Sequence, residues 1–177
     1  MTHYHKTIWS PVGDLTLVAD AAGLAAILWE NDQPGRVPLG PLVRAPRHPL
    51  LCETERQLGE YFAGARTAFD VPLSFAGSDF QQRVWRALLT IPFGETRSYG
   101  EMARQLGNPA ASRAVGAANG RNPISIIAPC HRVVGSTGKL TGFAGGLDAK
   151  AYLLDLERQA LGGWSTRDRM LRAATLM

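Results

Sequence analysis

The sequence predicts an α+β protein in two parts: a small antiparallel sheet near the N-terminus, and a mainly helical part from Gly77 onward that contains a helix-turn-helix. Three observations carry this. Residues 4 to 29 break into short apolar or alternating runs separated by turn residues. Capping boxes at Ser78 and Ser98 each stand before apolar residues at helical spacing. At 177 residues, with 45% hydrophobic and 19% charged, the chain can bury a true core.

Taken in order, Tyr4 to Trp9 leads into the turn residues Ser10-Pro11-Val12-Gly13-Asp14. Leu15 to Ala19 and Leu24 to Trp29 follow, parted by Asp20 to Gly23, which together predict an antiparallel meander. The stretch from Asn31 to Pro49 holds five prolines and no periodicity, the composition of a loop. Leu51, Leu58, Tyr61 and Phe62 then recur near helical spacing before Gly64. Thr67 to Phe75 reads as a further strand, held to an edge by Pro72. No recognisable chemistry stands in these residues, and 1–76 are expected to form a scaffold domain.

From Ser78 a helix is predicted with Phe80, Val84, Trp85, Leu88 and Leu89 on its apolar face, ending before Pro92. The second capping box, Ser98 with Glu101, opens a helix that turns Met102, Ala103 and Leu106 inward and stops at Gly107. Asn108 is the expected cap, and Pro109 the first residue, of a helix running to about Asn119. Its composition, rich in Ala and Gly with Arg113, would let a backbone approach a narrow groove. Pattern alone describes equally two packed helices of any α-rich domain. A glycine-rich loop spans Leu140 to Gly146, and Asp148 is placed to cap a last helix with Ala151, Leu153, Leu154 and Leu156 inward. Glu157 falls among those leucines and needs a partner. This second domain is assigned to 77–163. Residues 164–177 read either as a short helix or as a tail.

Composition excludes several classes. No apolar run is long enough to cross a bilayer, and the first residues lack a signal-peptide pattern. Two cysteines cannot build a disulfide framework, so a reducing, cytoplasmic setting fits. The four histidines stand at no zinc-ligand spacing, and no metal site is expected. The net charge of +4 permits a polyanionic partner without requiring one.

The chemistry gathers at Ile124-Ser125-Ile126-Ile127-Ala128-Pro129-Cys130-His131-Arg132-Val133-Val134. An apolar run stops at a proline, and a thiol, an imidazole and a guanidinium follow. A cysteine beside a histidine is a candidate nucleophile, although a free cysteine is also among the residues most often buried and inert.

Pro129 to Val134, with Asn122-Pro123 before it and Gly145-Gly146-Leu147 after it, resembles the active-site signature of the O6-alkylguanine-DNA alkyltransferases, the methylated-DNA–protein-cysteine methyltransferases. The likeness runs in order from Asp79-Phe80-Gln81 through Ile91-Pro92-Phe93-Gly94 and Ser98-Tyr99, over Ser112 to Asn119, to Leu154-Asp155-Leu156-Glu157. It covers nearly all of the second domain. The first domain resembles the family's variable N-terminal domain more loosely, through its size and Tyr61 to Gly64.

The resemblance implies a ribonuclease H-like sheet domain ahead of the helical one. It implies direct-reversal repair, in which O6-alkylguanine is flipped out of double-stranded DNA and its alkyl group passes irreversibly to Cys130, once per molecule and without a cofactor. Acceptance of O4-alkylthymine is left open by it. His131 would take the thiol proton through a water, and Glu157 would orient His131. Arg113 would fill the space the base vacates, and Tyr99 would crowd the backbone phosphate and touch the flipped base. Asn122 would tie the recognition helix to the active-site segment, and the backbone near Val133 and Ala144 would read the base edge. The protein is expected to be a monomer in solution, with cooperative coating of DNA left open.

Many relatives carry serine where this chain has Ala144, which bears on substrate range. The four-cysteine module of some relatives is not expected. Two rivals stand beside this reading: a cysteine hydrolase using Cys130, His131 and Glu157, and a non-catalytic binder of alkylated DNA.

Overall fold

The computed structural model describes residues 1–162, so the expectations for the last residue of the second domain and for 164–177 lie outside the described residues. Strands β1 (His3–Ile8), β2 (Leu15–Ala19) and β3 (Leu24–Trp29) form the expected antiparallel meander. The sheet as a whole is not antiparallel, however. A fourth strand, β4 (Leu42–Arg44), pairs parallel with β1, giving a mixed sheet of order β3-β2-β1-β4. β4 lies inside the proline-rich stretch that reads as loop. Three exposed residues between Pro41 and Pro46 carry no alternation that could reveal a strand.

Helix α1 (Pro49–Phe62) lies across this sheet, contacting β1 and β2 and burying Leu51, Leu58, Tyr61 and Phe62. His48 caps it by accepting from Leu50 N–H. The strand expected over 67–75 reduces to one bridge. Leu24 N–H donates to Pro72 O, and Ser74 N–H donates to Leu24 O. The approach is close enough that a Cβ on Gly23 would stand 2.6 Å from Pro72 O. A proline that cannot donate, set against a single glycine, explains why the pairing does not extend.

Both capping boxes form as read. Ser78 and Gln81 close α2 (Asp79–Leu88), and Ser98 and Glu101 close α3 (Tyr99–Gln105). Leu89 is not on the buried face of α2. It is the C-cap and projects into an open groove with Phe93 and Leu161. Asn108 makes no side-chain cap. Pro109–Ala111 form one 3₁₀ turn before α4 (Ser112–Gly120), which packs on α2 and α3 to complete the helix-turn-helix. β5 (Arg97–Ser98) and β6 (Val133–Val134) pair parallel.

The last helix, α5 (Leu147–Leu161), buries Ala149, Lys150, Leu153, Leu154, Leu156, Glu157 and Ala160. Ala151 is exposed because Lys150 holds the inward phase, and Asp148 sits in the first turn rather than at the cap, which is Gly146. One apolar cluster joins the sheet, α1, α2, α4 and the 124–133 segment. No described helix is long and apolar enough to cross a membrane.

Candidate active site

Residues 122–134 are all buried. The segment lies along the free edge of β3, where Ile27 N–H donates to Pro123 O and Ile27 bridges Ile124. Trp29 Nε1 donates to Ser125 Oγ at 3.1 Å. Covering the edge in this way satisfies backbone groups that would otherwise face solvent or another chain. Asn122 holds the segment from within: its Oδ1 accepts from Ile124 N–H, and its Nδ2 donates to Ala128 O at 2.8 Å. Arg36, clamped to Asp32, donates to Asn122 O at 2.9 Å and ties the end of α4 to the sheet part.

Two tight turns then aim the thiol. Ile127 N–H donates to Ser125 O across Ile126, whose φ is +75°. For a β-branched residue that conformation is strained by about 1–3 kcal/mol, held here by complete burial of Ile126. Cys130 N–H donates to Ala128 O across Pro129, an inverse γ-turn. Cys130–Arg132 form a single 3₁₀ turn, so thiol, imidazole and guanidinium leave the chain within one turn, ahead of β6.

Glu157, reached from α5 and fully buried, is the hub. His131 Nε2 lies 2.7 Å from its Oε2. Arg132 forks onto it, Nε to Oε1 at 2.8 Å and Nη2 to Oε2 at 3.1 Å. Tyr61 of α1 donates to Oε2 at 2.6 Å, and Gly94 N–H donates to Oε1 at 3.1 Å. Burial alone would push the carboxyl up, but the hydrogen bonds from His131 and Arg132 and the charge of Arg132 outweigh it and hold the acid well below its usual range. Arg132 also donates to Ile91 O and lies over the Phe93 ring.

The charge balance fixes the state of the histidine. Arg132 already neutralises Glu157, and burial pushes His131 below its usual range against the pull of Glu157. A neutral His131 that donates Nε2–H to Glu157 leaves its Nδ1 lone pair free. That atom is buried and has no hydrogen-bond partner among the described residues. Cys130, 3% exposed, is pushed up by burial, partly offset by the Asn122 and Ser125 side chains and the charges of Arg36 and Lys150. At neutral pH the thiol is therefore protonated at rest.

The other expected residues divide into two groups. Tyr99, half-buried at the start of α3, bonds Thr141 Oγ1 through its hydroxyl at 2.6 Å. Arg113 stands exposed on α4 beside exposed Ala114 and Ala117, with no ion pair or hydrogen bond among the described residues. It lies apart from the buried cluster around Glu157. Val133 donates its N–H to Cys130 O and accepts from Lys150 Nζ at 2.7 Å. Ala144 is half-buried in the loop over the site, next to Gly145, where a Cβ would meet the Trp29 ring at 2.6 Å. Phe143 meets the same ring edge-on.

Tyr61, Arg132, Lys150 and Asn119 are the site residues that sequence reading leaves unassigned. Tyr61 sits in an apolar helical face, yet a buried phenol needs an acceptor, and Glu157 needs a donor. Lys150 shares the inward phase of α5 with Leu153, Leu154 and Glu157, which is the signal that it is not a surface lysine. No group of three or more potential metal ligands occurs among the described residues.

Comparison with known proteins follows the same outline. A family model described as 6-O-methylguanine DNA methyltransferase, DNA binding domain, matches residues 79–159. One described as 6-O-methylguanine DNA methyltransferase, ribonuclease-like domain, matches residues 3–75. A methylated-DNA–protein-cysteine methyltransferase of Mycobacterium tuberculosis is 53% identical over 160 residues, 89% of this chain and 93% of that protein. One from Methanosarcina acetivorans is 50% identical over 155 residues, 87% and 97% of the two chains. Among solved structures, the Mycobacterium tuberculosis protein OGT in complex with DNA superposes with a TM-score of 0.81 at 46% identity, covering 98% of this chain and 99% of that one.

Proposed function

The chain belongs to the 6-O-methylguanine DNA methyltransferase family, and on that premise we propose that it repairs DNA by moving an alkyl group from O6-alkylguanine onto its own Cys130. The observation that carries this reading is the arrangement around that thiol. Cys130 is protonated and buried beside a neutral His131, whose Nε2 is fixed by Glu157 and whose Nδ1 is free to accept.

When the base occupies the site, His131 Nδ1 takes the thiol proton through a water. The thiolate then attacks the alkyl carbon in line, the carbon–O6 bond breaks, and its electrons stay with guanine as an anion; the proton that left the thiol returns from His131 through water to guanine N1, so neutral guanine leaves and His131 is neutral again. Arg132 and Tyr61 hold Glu157 so that the imidazolium forms against a fixed carboxylate. A thioether has no ready leaving group, and among the described residues no second cysteine stands near to take the alkyl group from it. Each molecule therefore acts once.

A buried thiol cannot reach O6 in a stacked base, so the nucleotide is flipped out of duplex DNA. The small exposed residues of α4 suit minor-groove entry, with exposed Arg113 entering the stack and Tyr99 against the phosphate and the flipped base. Asn122 ties α4 to the Cys130 segment, and the backbone at Val133 and Ala144 reads the base edge. In this division residues 1–76 serve as scaffold and 77–163 handle DNA, in a cytoplasmic, monomeric protein. Cooperativity on DNA and use of O4-alkylthymine are separate questions for assay. Cys130→Ala tests the assignment of the acceptor: it should bind alkylated duplex normally and transfer nothing. Residual transfer would move the nucleophile elsewhere.

A further inference from the structure

Trp29 is the last residue of β3, and its indole crosses from the sheet into the site. Its Nε1 donates to Ser125 Oγ at 3.1 Å, joining residues 96 apart in sequence, and Ser125 is fully buried. The direction of that bond is fixed by chemistry, because an indole N–H can only donate. Ser125 Oγ is therefore the acceptor, and its one proton remains to be given. A hydroxyl proton buried away from water needs an acceptor of its own.

The chain is curled so that this acceptor is the Cys130 thiol. Ala128 N–H donates to Ile124 O, Ile127 N–H to Ser125 O, and Cys130 N–H to Ala128 O, which folds residues 124–130 back on themselves. The Ser125 side chain hydrogen-bonds Cys130 and favours its thiolate. The alkyl transfer described above gives Ser125 no task.

We propose that Ser125 is a catalytic residue whose hydroxyl, turned toward Cys130 Sγ by the indole of Trp29, stabilises the thiolate as it forms, and that Trp29 is its positioning residue. The inference rests on the reading of Cys130 as the alkyl acceptor and deepens it, because the first domain then takes part in the chemistry through one side chain. Ser125 keeps its proton throughout; the proton that leaves the thiol passes through water to His131. A neutral thiol accepts weakly and a thiolate strongly, so the Ser125 bond tightens as charge builds on sulfur. Trp29 also packs on Phe143 and Gly145 of the loop over the site, so the test has to separate the indole N–H from the ring.

The test follows alkylation of Cys130 by iodoacetamide across pH without DNA, read from the mass of its peptide, and single-turnover transfer from a duplex carrying O6-methylguanine. Ser125→Ala should move the alkaline inflection of alkylation up by about one pH unit, which is tenfold less thiolate at neutral pH. Transfer at neutral pH should slow by only about threefold, because a more basic thiolate is also a better nucleophile. For the same reason the limiting alkaline rate should be no lower than that of wild type, which general damage to the site would not produce. Trp29→Phe frees the hydroxyl to turn among three rotamers and should move the inflection by about half a unit. In the Ser125→Ala background Trp29→Phe should move it no further. If Ser125→Ala does not fold, Trp29→Phe alone still reads the device, since Ser125 stays in place. An inflection unmoved by either variant, or a Trp29→Phe shift that persists in full without Ser125, would overturn the assignment. Inflections that move as expected, with no methyl transfer from the duplex in wild type, would overturn the transfer reading while upholding the Trp29–Ser125 arrangement.

Discussion

Tyr61→Phe removes one atom and isolates one bond, the phenol donated to Glu157 Oε2 at 2.6 Å. Tyr61 is fully buried among the rings of Phe62, Phe69 and Phe93, so the phenylalanine ring keeps its apolar surroundings. A hydrogen bond to a charged acceptor is worth about 1.5–3 kcal/mol. Glu157 retains four other bonds to His131, Arg132 and Gly94, which puts the expected loss nearer the lower figure, about 2 kcal/mol. For a chain of this size that lowers the melting temperature by about 4–8 °C. Urea unfolding of wild type, Tyr61→Phe, Glu157→Gln and the double variant gives the coupling between the two residues directly, and about 1 kcal/mol or more is expected. A single-variant loss below about 0.5 kcal/mol, the level of an exposed substitution, with no coupling, would refute the reasoning that α1 braces the relay.

Gly145→Ala sets a methyl 2.6 Å from the Trp29 ring and should both destabilise the protein by about 1–3 kcal/mol and slow transfer, read from urea unfolding and single-turnover rates. Arg113→Ala, on an exposed position, should leave stability unchanged. It should slow transfer from duplex at least tenfold more than transfer from the free alkylated base; equal losses would remove its part in flipping. Among the buried site groups, two held low in the folded protein, His131 and Glu157, should make stability fall toward acid. Below its usual 6.5 His131 protonates more readily unfolded, so the first loss begins there. Glu157 contributes stability above its usual 4.5, and that contribution is lost as pH falls from 4.5 toward about 2. Cys130, held high, adds an alkaline fall above its usual 9.0 that Cys130→Ala abolishes; urea midpoints across pH read all three.

The parts of the fold legible in the sequence are those governed by near neighbours. Ser78 with Gln81 and Ser98 with Glu101 write their caps within four residues, and both form. β4 was not legible, because three exposed residues acquire strand geometry only by lying beside β1. Helical phase at the ends was legible only in part: Leu89 turned outward beyond the last turn of α2, and Lys150 took the inward place expected of Ala151. The site divides in the same way. Cys130 and His131 announce themselves by adjacency, and Glu157 by being an acid among leucines. Tyr61 and Glu157 are 96 residues apart, and nothing local says that one will meet the other. Asn119 reads as one more residue of a small-residue helix, and only the packing of α4 buries it beside Cys130.

The most direct test of the central claim is a count of equivalents. A known amount of protein is incubated with excess duplex carrying O6-methylguanine, and both repaired base and modified protein are followed to completion. The account predicts that repair stops at one guanine per protein molecule, with one methyl group on the peptide containing Cys130. Continued turnover beyond one equivalent, or a Cys130 peptide of unchanged mass after repair, would contradict it.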